Sequence, residues 1–84
     1  MDARRTARVL RDINAIRTER GLPTIAKIPK GFPSASQCPL ARALDADVGA
    51  YDWWGGSIDH GPLSTVLIRF REDFDGGRLP EFEA

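Results

Sequence analysis

One cysteine and one histidine among 84 residues close off several classes of function. A lone cysteine forms no internal disulfide, so the fold must rest on packing, and a reducing cytoplasm is the simplest setting. A structural zinc site wants four ligands drawn mainly from cysteine and histidine, and one of each leaves it unfilled. No metal and no cofactor is therefore expected. Apolar residues nowhere run long enough to span a membrane. The arginine-rich stretch from Met1 to Leu10 meets Arg11 and Asp12, which break any apolar run that would serve as a secretion signal. Gly55-Gly56 and Gly76-Gly77 lack the strand-to-helix setting and the lysine of a phosphate-cradling loop, so they read as turns.

Net charge is absent as well, but only in the sum. Residues 1–44 hold nine Lys/Arg against three acids (Asp2, Asp12, Glu19), giving +6, whereas residues 45–84 hold three arginines against nine acids, giving −6. Such a split prompts a partner-binding or polyanion-binding reading. The plainer reading is self-neutralisation, with the basic first helix lying against the acidic C-terminal segment of the same chain or of a second copy in a homodimer.

What is present reads as one domain over residues 1–84. Asp2 is a suitable N-cap for a basic amphipathic helix over 2–20, with Val9, Leu10, Ile13 and Ile16 at helical spacing and Arg4, Arg8 and Arg11 on the other side. Gly21 and Pro23 stop it. Residues 22–37 contain Pro23, Pro29 and Pro33, yet Ile25, Ile28 and Phe32 argue for an ordered crossing segment wrapped over the core. Pro39 opens a short helix over 39–46 with Cys38 as its N-cap and Leu40 and Leu44 one turn apart, leaving Arg42 to solvent. Residues 48–60 read as a hairpin turning at Gly55-Gly56, with Gly49 marking a bulge. Leu63, Val66, Leu67, Phe70 and Phe74 form the apolar face of a core helix over 62–75, opened by Pro62. The tail 76–84 carries Leu79 and Phe82, which are suited to tuck back onto the domain. These elements predict a small α+β fold: two main helices and one short helix around a minimal β-hairpin.

Candidate chemistry is thin. Cys38 at a helix start is placed where backbone N–H groups favour a thiolate, and with Asp59 and His60 a hydrolase triad can be drawn. Adjacent strand residues point to opposite sides, however, and a small buried cysteine is the commoner outcome. The cluster Glu72-Asp73-x-Asp75-Gly76 lacks the alternating ligands of a calcium loop. Its acids crowd a helix C-terminus, where Arg69 and Arg71 can offset Asp73 and Asp75, and Arg78 can reach Asp75. Trp53 and Trp54 cannot easily enter one core, so an exposed indole beside Tyr51 suits protein contact, or base stacking if cations lie close. Ile68 falls off the core stripe and is a further candidate for an interface.

The run Cys38-Pro39-Leu40-Ala41-Arg42-Ala43-Leu44, together with Phe70-x-x-x-Phe74-Asp75-x-Gly77-x-x-Pro80, resembles small uncharacterised proteins of actinobacteria and their phages. The likeness covers roughly the C-terminal half and implies no activity, cofactor or catalytic residue. The expected function is a non-enzymatic cytoplasmic binding or regulatory protein, and the resemblance implies a phage-encoded one. It would act on a protein partner through Tyr51, Trp53 and Trp54 and through Arg4, Arg8 and Arg11. The alternatives are nucleic-acid binding by the basic first helix, which would weaken steeply with salt, and a thiol-dependent enzyme using Cys38.

Overall fold

Asp2 begins the first helix: its carboxylate accepts the backbone N–H of Arg5 at 2.7 Å, satisfying a donor that has no partner inside a helix. In a computed structural model that describes residues 1–45 and 63–84, this helix, α1, spans Ala3–Glu19 and buries Val9, Ile13 and Ile16 along one stripe. It ends where Gly21 takes φ +75°. The Gly21 N–H then reaches Thr18 O at 3.0 Å and the Leu22 N–H reaches Arg17 O at 2.8 Å, the paired bonds of a Schellman stop.

The second helix, α2, spans Pro39–Leu44, and all of its residues except Arg42 are buried. Cys38 caps it through Sγ, which accepts from Ala41 N at 3.3 Å, and Pro39 occupies the first turn, where no N–H is needed. It stops short of the expected residue 46 because Asp45 adopts the left-handed conformation, φ 53°.

The third helix, α3, spans Thr65–Asp75, so it begins after the expected Pro62, which lies outside the described residues. The cap is Ser64, whose hydroxyl accepts from Leu67 N at 3.2 Å. At its other end Gly77 takes φ +75°, and Gly77 N to Phe74 O and Arg78 N to Asp73 O repeat the stop seen in α1. A short 3-10 turn, Pro80–Phe82, follows.

The three helices pack against one another in all three combinations. Their stripes meet in a core of Val9, Ile13 and Ile16 from α1, Leu40, Ala41, Ala43 and Leu44 from α2, and Leu67, Phe70 and Phe74 from α3. Leu63, Leu79, Ile28 and Cys38 close its edges. Phe82 lies edge-on to Phe70 with ring centroids 5.4 Å apart, which fixes the tail to the centre of the core. Val66, Leu10 and Ile68 are only half-buried at its margin.

The expected α+β class is thereby corrected. The described secondary structure is helical and contains no strand; its β feature is one isolated parallel bridge between Gly31 and Glu83. Among the described residues each helix packs its apolar face against the other two, and the core they form contains no sheet layer. The hairpin expected over 48–60 lies outside the described residues. The crossing segment is ordered by specific contacts: Ile28 is buried, and the Asn14 side chain both donates to Ile25 O at 3.0 Å and accepts from Ile25 N at 2.8 Å. Phe32 does not join the core. It is 46% exposed, with the Arg42 guanidinium 5.5 Å from its ring centroid. No described helix is long and apolar enough to cross a membrane.

Candidate binding cleft between α1 and α3

Most arginines of the basic half serve the fold. Arg17 donates to Pro23 O and Ala43 O, both at 2.7 Å, and Arg20 donates to Leu44 O. Together they place positive charge at the C-terminal end of α2, where the helix dipole is negative and its last carbonyls lack intrahelical donors. Arg42 reaches Lys30 O at 3.1 Å and steadies the crossing segment. Arg11 pairs with its neighbour Asp12 at 3.2 Å.

A different set lines a cleft of about 400 Å³: Arg5 and Arg8 from α1, with Thr65, Val66, Arg69 and Asp73 from α3. Helical periodicity explains the grouping, since residues 5 and 8 share one face of α1 and residues 65, 69 and 73 share one face of α3. Asp73 closes one end. Its carboxylate accepts from Arg5 at 2.6 Å and from Arg78 at 2.9 Å. The Arg5 bond first, and then the Arg78 bond, hold the Asp73 carboxyl below its ordinary pKa. At the other end of the helix pair the Ser64 hydroxyl donates to Asp12 at 2.6 Å. Arg8 and Arg69 are both exposed, and neither has a carboxylate partner among the described residues.

Of the expected contact residues that are described, Arg8 lines this cleft and Arg4 and Arg11 do not. Arg4 is exposed on α1 outside the lining, Arg11 is held by Asp12, and Tyr51, Trp53 and Trp54 lie outside the described residues. Arg5, Arg69 and Asp73 were not among the expected contact residues. The i, i+3 and i, i+4 spacings within each helix group them, but only the approach of α1 to α3 shows that the two groups face one cleft. The expected offset of Asp73 by Arg69 is replaced by bonds from Arg5 and Arg78, and no described ion pair joins Arg78 to Asp75. Cys38 is 1% exposed, and burial pushes its thiol above the ordinary value despite the opposing hydrogen bonds from the Ala41 and Leu40 backbone. His60 and Asp59, the other members of the triad that can be drawn, lie outside the described residues.

Arginine remains protonated and is neither nucleophile nor base at neutral pH. Asp73, held ionised by two guanidiniums, is a poor proton donor. Comparison with family models, with curated proteins and with solved structures finds no match to the chain.

Proposed function

We propose that this chain is a non-enzymatic binding protein that engages a protein partner through its α1/α3 face. The observation that carries the reading is the cleft between those helices, where, among the described residues, three guanidiniums face one carboxylate that is already shared with Arg78. Excess cation at this cleft favours an anionic group on a partner, and arginine is a residue type enriched where protein surfaces bind tightly. A thiol-enzyme reading gains no support from a buried Cys38 that caps a helix. Nucleic-acid binding loses support because Arg11, Arg17 and Arg20 of the basic helix are engaged within the chain.

The test is capture of a partner from a nuclease-treated cell lysate on immobilised chain, compared with binding to a duplex oligonucleotide. Wild type and Arg4→Gln should retain the same protein saturably, while the double variant Arg8→Glu/Arg69→Glu loses it. Retention of the oligonucleotide alone, with affinity falling steeply as salt rises, would replace this reading with the nucleic-acid one.

A further inference from the structure

The α1/α3 face is a ladder of three rungs, and its middle rung is mismatched. Arg5 to Asp73 and Asp12 to Ser64 fix the two helices as antiparallel at two levels, each with a 2.6 Å bond. The same register sets Arg8 opposite Arg69 between those levels, and both side chains line the cleft. The outer rungs pair donor with acceptor. The middle rung opposes two exposed cations that have no carboxylate partner among the described residues, an arrangement that an anion entering from outside would relieve.

Resting on the protein-contact reading above, we infer that the Arg8/Arg69 rung is a subsite for one carboxylate side chain, Asp or Glu, presented by the partner protein. Its two oxygens accept from the two facing guanidiniums, the geometry in which charge-assisted hydrogen bonds are strongest. Thr65 and Val66, on the same wall of the cleft, offer a small polar and a small apolar surface to the stem of that side chain. The neighbouring rungs each carry an acid that is already partnered, Asp73 by Arg5 and Arg78 and Asp12 by Arg11 and Ser64. Asp12 lies four residues from Arg8, and Asp73 four from Arg69, about 6 Å along each axis. A single acidic side chain can occupy the middle rung and leave both of those acids with their partners.

The experiment is an NMR titration of the full chain that reads the arginine Nε–Hε signals. The probes are a blocked Ala-Ala-Glu-Ala-Ala peptide, its glutamine counterpart and inorganic phosphate. The glutamate peptide should shift the Arg8 and Arg69 signals saturably and the glutamine peptide should not. Arg8→Gln and Arg69→Gln should each weaken the effect by about tenfold, as expected for loss of a charge-assisted bond. Arg4→Gln, which alters an exposed arginine of the same helix, should leave it unchanged, and matching circular dichroism spectra establish that the variants are folded. Absence of a shift, or equal shifts at Arg4 and Arg11, overturns the inference; saturation by phosphate at lower concentration than the peptide reassigns the rung to a phosphate group. If the glutamate peptide fails while charge reversal at Arg8 and Arg69 still abolishes partner capture, the carboxylate subsite is wrong and the protein-contact reading stands. If wild type captures no protein, the contact reading itself fails.

Discussion

Gly31 is held to glycine by proximity and not by backbone conformation. A Cβ built there would press on Gln37 O and stand 2.8 Å from both Cys38 C and Pro39 N, all backbone atoms that no rotamer change can move aside. Gly31 also joins the tail to the crossing segment: its N–H reaches Phe82 O at 2.9 Å, and its carbonyl accepts from Ala84 N at 3.0 Å. Gly31→Ala must displace either the start of α2 or the tail, at a cost of about 1–3 kcal/mol, the usual range for overpacking. Urea unfolding measures the loss, and hydrogen exchange at the Gly31 and Ala84 amides should quicken with it. Gly21 is the useful contrast. A Cβ there meets nothing within 4 Å, but φ is +75°, so Gly21→Ala should cost about 1 kcal/mol from strain alone and leave those two amides protected. Equal stability of Gly31→Ala and wild type would show that Gly31 does not lie against the start of α2 as described. Cys38 obeys the same kind of constraint: what its position specifies is a small buried cap for α2, and burial raises the very pKa that a nucleophile would need lowered.

At the scale of elements, the crossing segment depends on one polar side chain of α1. Asn14 mimics a strand neighbour by exchanging two hydrogen bonds with the Ile25 backbone, in a setting partly shielded from water. Asn14→Ala leaves both Ile25 groups without their partner and should cost about 1–3 kcal/mol. Asn14→Asp, which keeps an acceptor for Ile25 N but sets a carboxylate against Ile25 O, should also destabilise; thermal unfolding of the pair against wild type is the measurement. An unchanged midpoint for Asn14→Ala would mean that the prolines and Ile28 order the segment alone. Contacts of this class mark the boundary of what the sequence makes legible. Asp2 as a cap, the Gly21 stop and the Cys38-Pro39 start follow from rules that act within a few residues, and the buried stripes of α1 and α3 follow from periodicity. Asn14 to Ile25, Arg17 and Arg20 to the end of α2, and Arg5 to Asp73 depend on how elements approach one another, which no local pattern states. The fold class failed for a related reason. Residues 48–60 read as a hairpin turning at Gly55-Gly56, whereas the described elements that pack together are helices. Arg8 was legible as a charge on a helix, but its relation to Arg69 appears only once the antiparallel register is known.

Across the whole molecule, the basic and acidic halves meet at the α1/α3 face, and Asp73 is the acid on which that meeting turns. Its folded pKa lies below the ordinary 3.8 because the Arg5 and Arg78 bonds favour the ionised form. A depressed carboxyl pKa stabilises the fold fully above the unfolded value and ceases to do so as pH falls through the folded one. Asp73→Asn should therefore be less stable than wild type at neutral pH, with the gap closing under acid as the wild-type carboxylate is protonated. The same substitution leaves Arg5, Arg8, Arg69 and Arg78 gathered without the acid that two of them bind. Repulsion among exposed cations is screened beyond roughly 10 Å at 0.1 M salt and more tightly at higher salt, so the deficit should be largest in dilute buffer and shrink on adding salt. Adding Arg69→Gln to Asp73→Asn removes one of the crowded cations and should recover part of the loss at low salt, although Arg69 makes no described bond to Asp73. Thermal midpoints of wild type, both single variants and the double variant, each at low and high salt, measure this as a double-mutant cycle. Strict additivity at low salt would mean that Arg69 lies outside the field of Asp73, and that the two ends of the cleft act as separate surfaces.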